Sequence, residues 1–209
     1  MKHTQKHKSF LPQNIVLRQA QYVTLFAAFF LVFLSACNGD YSPKPKAYPR
    51  VVYPEKKYET YVSPDCPFEF EKPVYAKIAR DSSNNNPCWI NVEFPDFNGT
   101  INLTYKAITP KDNLPKLIED AHKMSFKHAK KANYIDEVLI ENKNGVGGIL
   151  YNVGGDAASN IQFFLTDTTH HFIRGALYFN NEPNTDSMAP VINFVRADLD
   201  SFLASFKWK

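Results

Sequence analysis

Read for hydrophobic and polar positions, the chain is basic, then abruptly apolar, then proline-rich, and only afterwards shows the alternations of a folded domain. The apolar stretch is Tyr22 to Cys37, YVTLFAAFFLVFLSAC. Asn38 to Pro64 follows, with Pro43, Pro45, Pro49, Pro54 and Pro64 among Lys, Tyr and Ser. Closely spaced prolines remove backbone donors and favour extended backbone, so this segment predicts a tether. Its aromatic part, around Tyr48 to Tyr61, either belongs to that tether or lies along the domain. From Cys66 the pattern changes. Phe68 to Phe70 and Val74 to Ala79 read as short extended pieces, with Asp81 to Pro87 as a loop. Cys88 to Phe94 and Thr100 to Lys106 alternate as strands around Pro95-Asp96-Phe97-Asn98-Gly99, and Asn-Gly is a strong hairpin signal.

Thr109 to Ala132 predicts a helix. Thr109 is placed to cap it, Pro110 to open it, and Leu114, Leu117, Ile118, Ala121, Met124 and His128 to form its buried stripe. Lys116, Lys123, Lys127, Lys130 and Lys131 fall mostly off that stripe and read as a solvated face. Glu137 to Lys143 and Gly148 to Val153 predict a hairpin turning at Asn144-Gly145-Val146-Gly147. Gly154 to Ser159 is a loop, and Asn160 to Thr166 and Phe172 to Phe179 pair about Asp167-Thr168-Thr169. The last helix runs from about Ser187 to Phe206, with Pro190 in its first turn and Ile192, Val195, Leu199, Phe202 and Phe206 on its apolar side. Hairpins imply an antiparallel sheet, and two amphipathic helices must bury their stripes against it. The expectation is an α+β fold: one domain, residues 65–209, with a largely antiparallel sheet packed by two helices. Its element order loosely resembles the Mog1/PsbP sandwich.

Lys2, Lys6, Lys8 and Arg18 precede the apolar run, and Leu34-Ser35-Ala36-Cys37 ends it. Tyr22 to Ala36 is 15 residues, short of the roughly 20 that span a bilayer. A basic flank, an apolar core and small residues before a cut site are marks of an export signal. The cysteine resembles a bacterial lipobox, which implies removal of residues 1–36, a lipid on Cys37, and residues 37–64 as a tether from the bilayer. A retained membrane helix is the competing reading. The leader carries four of the 24 Lys and Arg and none of the 21 Asp and Glu. The mature chain therefore holds 20 against 21, a net charge of −1, which offers no basic surface for nucleic acid. Cys66 and Cys88 remain. In an oxidising compartment they are expected to form a disulfide, with two buried thiols as the alternative.

Chemistry is sparse. His122 and His128 lie six apart on one helix and point about 240° apart, so they do not share a metal. Adjacent His170 and His171 would face opposite sides of a strand. Gly145-Val146-Gly147-Gly148 lacks the Lys-Ser/Thr of a phosphate loop and precedes a strand, so it reads as a turn. No catalytic residues, metal ligands or cofactor are assigned beyond the lipid. The alternative is a ligand-binding or enzymatic pocket near the Asp167 to Arg174 strand pair, gathering His171, Arg174 and carboxylates. Asn98-Gly99-Thr100 and Asn102-Leu103-Thr104 read as turn and strand. Asp186-Ser187-Met188 and Asp167-Thr168-Thr169 resemble a short O-glycosylation signal but serve equally as helix start and turn.

Tyr41 to Arg50 (YSPKPKAYPR), Cys66-Pro67-Phe68, Cys88-Trp89, Phe94 to Thr100, Glu119 to Lys123, His171 to Phe179, Asp186 to Val191 and Ser205 to Lys209 together resemble GldD, a gliding-motility lipoprotein family of Bacteroidetes. Ala47 departs from the glycine expected in the tether. The resemblance implies a lipoprotein linked to gliding and to type IX secretion, with no enzymatic activity and no catalytic residues to carry over. Its implied partners are the bilayer, through Cys37, and other envelope proteins of that machinery. No small-molecule substrate is implied. The sequence after Cys37 lacks an aspartate at the next position and an acidic cluster, so a periplasm-facing domain is expected.

Overall fold

The computed structural model describes residues 50–209 except 84 and 128–130, together with Arg18, Tyr22 and Phe26. Among the described residues the order is β1 (Tyr58–Val62), β2 (Phe68–Pro73), β3 (Lys77–Arg80), β4 (Trp89–Phe94), β5 (Gly99–Ala107), α1 (Leu114–Phe126), β6 (Ala132–Glu141), β7 (Gly147–Gly155), β8 (Ile161–Thr166), β9 (His171–Phe179), α2 (Thr185–Ser205) and β10 (Lys207–Trp208). Every strand pair is antiparallel. A seven-stranded sheet runs β3-β4-β5-β9-β8-β7-β6, and a second of three strands runs β1-β2-β10.

Alternation along the central strands decides what each face of the large sheet does. Ile90, Val92, Ile101, Leu103, Phe163, Leu165, Ile173 and Leu177 point to one side and join the main core. The small sheet and α2 cover that side: Phe70 packs on Phe202 with ring centroids 4.5 Å apart, and Phe68 on Phe206 at 5.8 Å. Val195, Leu199 and Phe202 recur on one stripe of α2, and each is buried. Phe164, Phe172 and Tyr151 point to the opposite side, where Leu117 and Ala121 of α1 complete a smaller core. The molecule is thus layered as α1, large sheet, then small sheet with α2. Full burial of one such aromatic side chain is worth about 2–3 kcal/mol.

The expected α+β architecture stands, with departures that have physical causes. The single expected sheet is two. Part of the expected tether is structural: Tyr58–Val62 pairs with β2 from Tyr58↔Pro73 to Val62↔Glu69, so the ordered chain starts before Cys66. The helix expected from Thr109 begins at Leu114 instead. Thr109 Oγ1 accepts the Asp112 N–H in a turn, while Asn113 caps the helix by accepting from Lys116 N at 3.1 Å. Pro115 sits in the first turn, where its missing N–H costs nothing. The helix ends near Phe126 because residues from Ala132 are claimed by β6. Met124, expected inside, is 42% exposed.

The β6–β7 turn also differs from the expected four residues. Asn142 Oδ1 accepts from Asn144 N and Val146 N, and Gly145 takes the left-handed φ of 73°. The Asn142 side-chain amide donates to the carbonyls of Leu203 and Phe206, capping the end of α2. The two-residue β10 after that end was not expected. It pairs Lys207↔Glu69 and Trp208↔Phe68.

Candidate functional site

Strand β8 reads IQFFLT and all six of its residues are buried. Gln162 is the anomaly, fully covered yet polar. It lies beneath α1, where Ser125 Oγ donates to Ala121 O at 3.0 Å and stands 3.4 Å from Gln162 Oε1. The Arg174 guanidinium donates to the same amide oxygen. Tyr151 sits opposite Gln162 across β7–β8, extending the polar line. Its hydroxyl, Gln162 Nε2 and Arg174 Nε are buried without a hydrogen-bond partner among the described residues. Such groups are uncommon in folded proteins and ask for a reason. Burial, reinforced by Glu137, pushes the Tyr151 hydroxyl above its ordinary range. Burial also draws the Arg174 guanidinium below its ordinary value, against the influence of Tyr178 and Tyr151.

Arg174 also reaches a groove between α1 and strands β4, β5 and β9. The groove holds about 140 Å³ and is lined by Trp89, Thr104, Lys106, Leu117, Asp120, Ala121, Met124, Phe172 and Arg174. Trp89 is fixed there by its indole N–H, which donates to Tyr105 O at 3.1 Å. Part of the α1 face of the sheet is therefore left for something other than α1.

The second feature on this side is the edge strand β6. Among the described residues it pairs with β7 alone and ends the large sheet. It is ten residues long, and Tyr134, Val138 and Leu139 are 57%, 47% and 84% exposed. Its sequence, ANYIDEVLIE, carries Asp136, Glu137 and Glu141 with no Lys or Arg. His122 of α1 reaches Glu137 at 3.4 Å.

The model of the gliding motility lipoprotein GldD family matches residues 38–208. The chain belongs to this family. GldD membership gives the chain a role in gliding motility and describes it as a lipoprotein. No curated protein matches it in sequence. Among solved structures it is similar to the solution structure of cyanobacterial PsbP (CyanoP) from Synechocystis sp. PCC 6803. There the TM-score is 0.44 and the identity 10%, over 80% of this chain and 100% of that one.

The expected lipid position, Cys37, lies outside the described residues, as do nearly all of residues 1–36, the expected tether up to Pro49, and His128. Cys66 and Cys88 are joined in a disulfide with Cα atoms 5.5 Å apart, tying the approach to β2 to the start of β4. No helix among the described residues is long and apolar enough to cross a membrane. No three His, Cys, Asp or Glu among them gather as metal ligands. Lys116 and Lys123 pair with Asp112 and Glu119 on the solvent side of α1, as a solvated face does.

The alternative pocket, gathering His171 and Arg174, does not form, because residues three apart on β9 face opposite ways. His171 turns to the small sheet, where its Nδ1 meets Tyr105 Oη at 2.8 Å and its ring stacks on Trp208 at 5.0 Å. Asp167 serves the β8–β9 turn, accepting from Thr169 N, His170 N and His171 N at 3.0, 2.9 and 2.8 Å. Thr168 takes φ 66° in that turn. Asp186 and Ser187 open α2, where Asn184 accepts from Ser187 N.

Burial works against the Asp167 carboxylate, but the three backbone donors outweigh it and hold its pKa at about 2, against 3.8 ordinarily. A depressed folded value stabilises above the unfolded pKa and loses that stabilisation as pH falls toward the folded one. Between about pH 5 and pH 2, Asp167→Asn should therefore lose less stability than the unchanged chain. Urea midpoints measured across that window check this, and parallel losses would contradict it.

Sequence reasoning missed the roles of Gln162 and Tyr151, and, having placed a strand at Glu137 to Lys143, missed that β6 is the exposed edge of the sheet. A lone Gln inside an apolar run was the available signal for the first. Acids and apolars exposed on both faces of one strand were the signal for the edge.

Proposed function

We propose that this GldD chain is a non-enzymatic assembly module of the gliding and type IX secretion machinery, held at a membrane by a lipid on Cys37 with its domain facing the periplasm. The family match supports the process, and the short apolar leader ending at Cys37 supports the anchor. The observation that carries the molecular reading is β6. An exposed edge strand offers unpaired N–H and C=O groups as a template for another strand. Its occupant is an extended segment of an envelope partner in which two successive Lys or Arg adjoin two successive apolar residues, so that each face offers one of each. Leu139 and Glu137 would meet it on the α1 side, and Val138 and Asp136 on the other. A second copy of this chain fits poorly, because it brings three more carboxylates and no cation to the same ribbon.

Val138→Lys with Leu139→Lys tests the edge. Both residues are exposed, so folding should be unchanged while colony spreading is lost, since the added cations repel a basic strand. Normal spreading by a stably produced variant would overturn the edge assignment. Cys37→Ser in the same assay should lose acyl labelling and membrane retention, and retention of both would remove the anchor.

A further inference from the structure

The groove beside α1 is distinct from the β6 edge, and its composition points to a ligand. Its walls are apolar: Trp89 on β4, Leu117 and Met124 on α1, and Phe172 on β9. Of the two cations that line it, Arg174 and Lys106, Arg174 is mostly withdrawn from water and is held by neutral groups. It donates to Gln162 Oε1, and the residues that act on its charge are Tyr178 and Tyr151, neither of them a carboxylate. Asp120, on the α1 rim, acts instead on the exposed ammonium of Lys123.

A guanidinium taken from water without a paired anion is costly. A fold keeps such a group at a loss where the group recognises something. The planar fork of arginine suits a carboxylate, which it meets through two parallel N–H donors. The space sets the rest of the ligand. A volume of 140 Å³ is close to the roughly 150 Å³ of an apolar cavity that accepts benzene. We propose that this groove binds a small monocarboxylic acid bearing one ring-sized apolar group, its carboxylate on Arg174 and its apolar body between Trp89, Phe172 and Met124. Lys106 at the mouth adds a second positive charge.

The test is calorimetric titration of the full lipidated chain in detergent with 3-phenylpropanoate, acetate, 2-phenylethylamine and a short peptide ending in phenylalanine. The acid should bind saturably with about millimolar affinity, as its size allows. Acetate, which lacks the apolar body, and the amine, which lacks the anion, should not. Arg174→Met should weaken binding by about tenfold or more, one charge-assisted pair being lost. In the absence of ligand its unfolding temperature should fall only slightly, because the Gln162 oxygen keeps Ser125 as a donor. Met124→Trp, which fills the groove and leaves Arg174 in place, should abolish binding by itself. Absence of saturable binding, equal binding of the amine, or binding confined to the peptide would overturn the proposal. So would a large fall in the unfolding temperature of Arg174→Met, which would make Arg174 a structural residue.

Discussion

Replacing Asp198 by alanine is expected to lower the unfolding free energy by about 3 kcal/mol, the cost of breaking a buried ionic contact on one side. Asp198 lies on α2 within the apolar stripe and is 1% exposed. Three donors converge on it from far away in sequence: Lys56 Nζ at 2.6 Å, Tyr58 Oη at 3.0 Å and Tyr75 Oη at 2.5 Å. Lys56 is further held by Phe194, donating to its carbonyl at 2.7 Å with the ammonium 3.6 Å from the ring centroid. Burial, then the hydrogen bond and charge of Asp198, push the Tyr75 hydroxyl well above its ordinary range. Alanine leaves an ammonium and two hydroxyls without this acceptor, so part of the desolvation cost of each goes uncompensated. Asp198→Asn keeps an acceptor but not the charge and should fall between. The loss should be local as well as global, since Lys56 and Tyr58 dock the N-terminal segment and β1. Hydrogen exchange in β1 should rise in Asp198→Ala more than exchange in β8. A variant with unchanged urea midpoint and unchanged β1 exchange would contradict this account of the latch.

Removing the Cys66–Cys88 bridge, as the double serine variant, is expected to cost a similar amount, about 3 kcal/mol for a closed loop of this size. At roughly 2–4 °C per kcal/mol for a chain of this length, the unfolding temperature should fall by about 6–12 °C. The bridge is a strong contributor because of what it joins. Cys66 stands just before β2 of the small sheet and Cys88 just before β4 of the large one, separated by 22 positions in sequence. Between them lie β2, β3 and the loop at Asp81–Pro87, whose described residues are mostly exposed. Without the bridge, that segment regains its freedom in the unfolded chain and β3, a four-residue edge strand, loses its near support. Thermal unfolding with and without reductant measures the effect. Coincident transitions would show that the bridge adds nothing.

Where local pattern dictated structure, the fold was legible. The β4–β5 and β8–β9 hairpins follow from alternation and turn chemistry. The stripe Val195, Leu199, Phe202 follows from helical spacing, because a buried face repeats at that period. Tertiary claims were less legible. Thr109 and Pro110 carry helix-start chemistry, but Ile108 N bonds His170 O across the sheet and delays the helix. Tyr58–Val62 (YETYV) has strand-favouring residues but sits among linker prolines, and β2 beside it and Asp198 beneath its flank settle it as a strand. Trp208 gains strand geometry from Phe68, its partner 140 positions earlier, which no local window contains. The candidate site divides in the same way. Arg174 was visible as a charge on a strand, but its separation from His171 required the strand's sidedness. Its groove required knowing that α1 stops short of β4. Asp198 could have been found, since it interrupts an otherwise apolar stripe at a buried position.

In the proposed assembly the β6 edge is where a basic partner strand docks. Site-specific photo-crosslinking in intact envelopes tests it most directly, with the probe at Leu139 on the edge and, in parallel, at the exposed Lys111 before α1. The account predicts one discrete adduct from Leu139, absent from Lys111, whose second component is a gliding or secretion protein that contributes a Lys- or Arg-bearing extended segment. Equal labelling from both positions, or an adduct with a second copy of this chain, would contradict it.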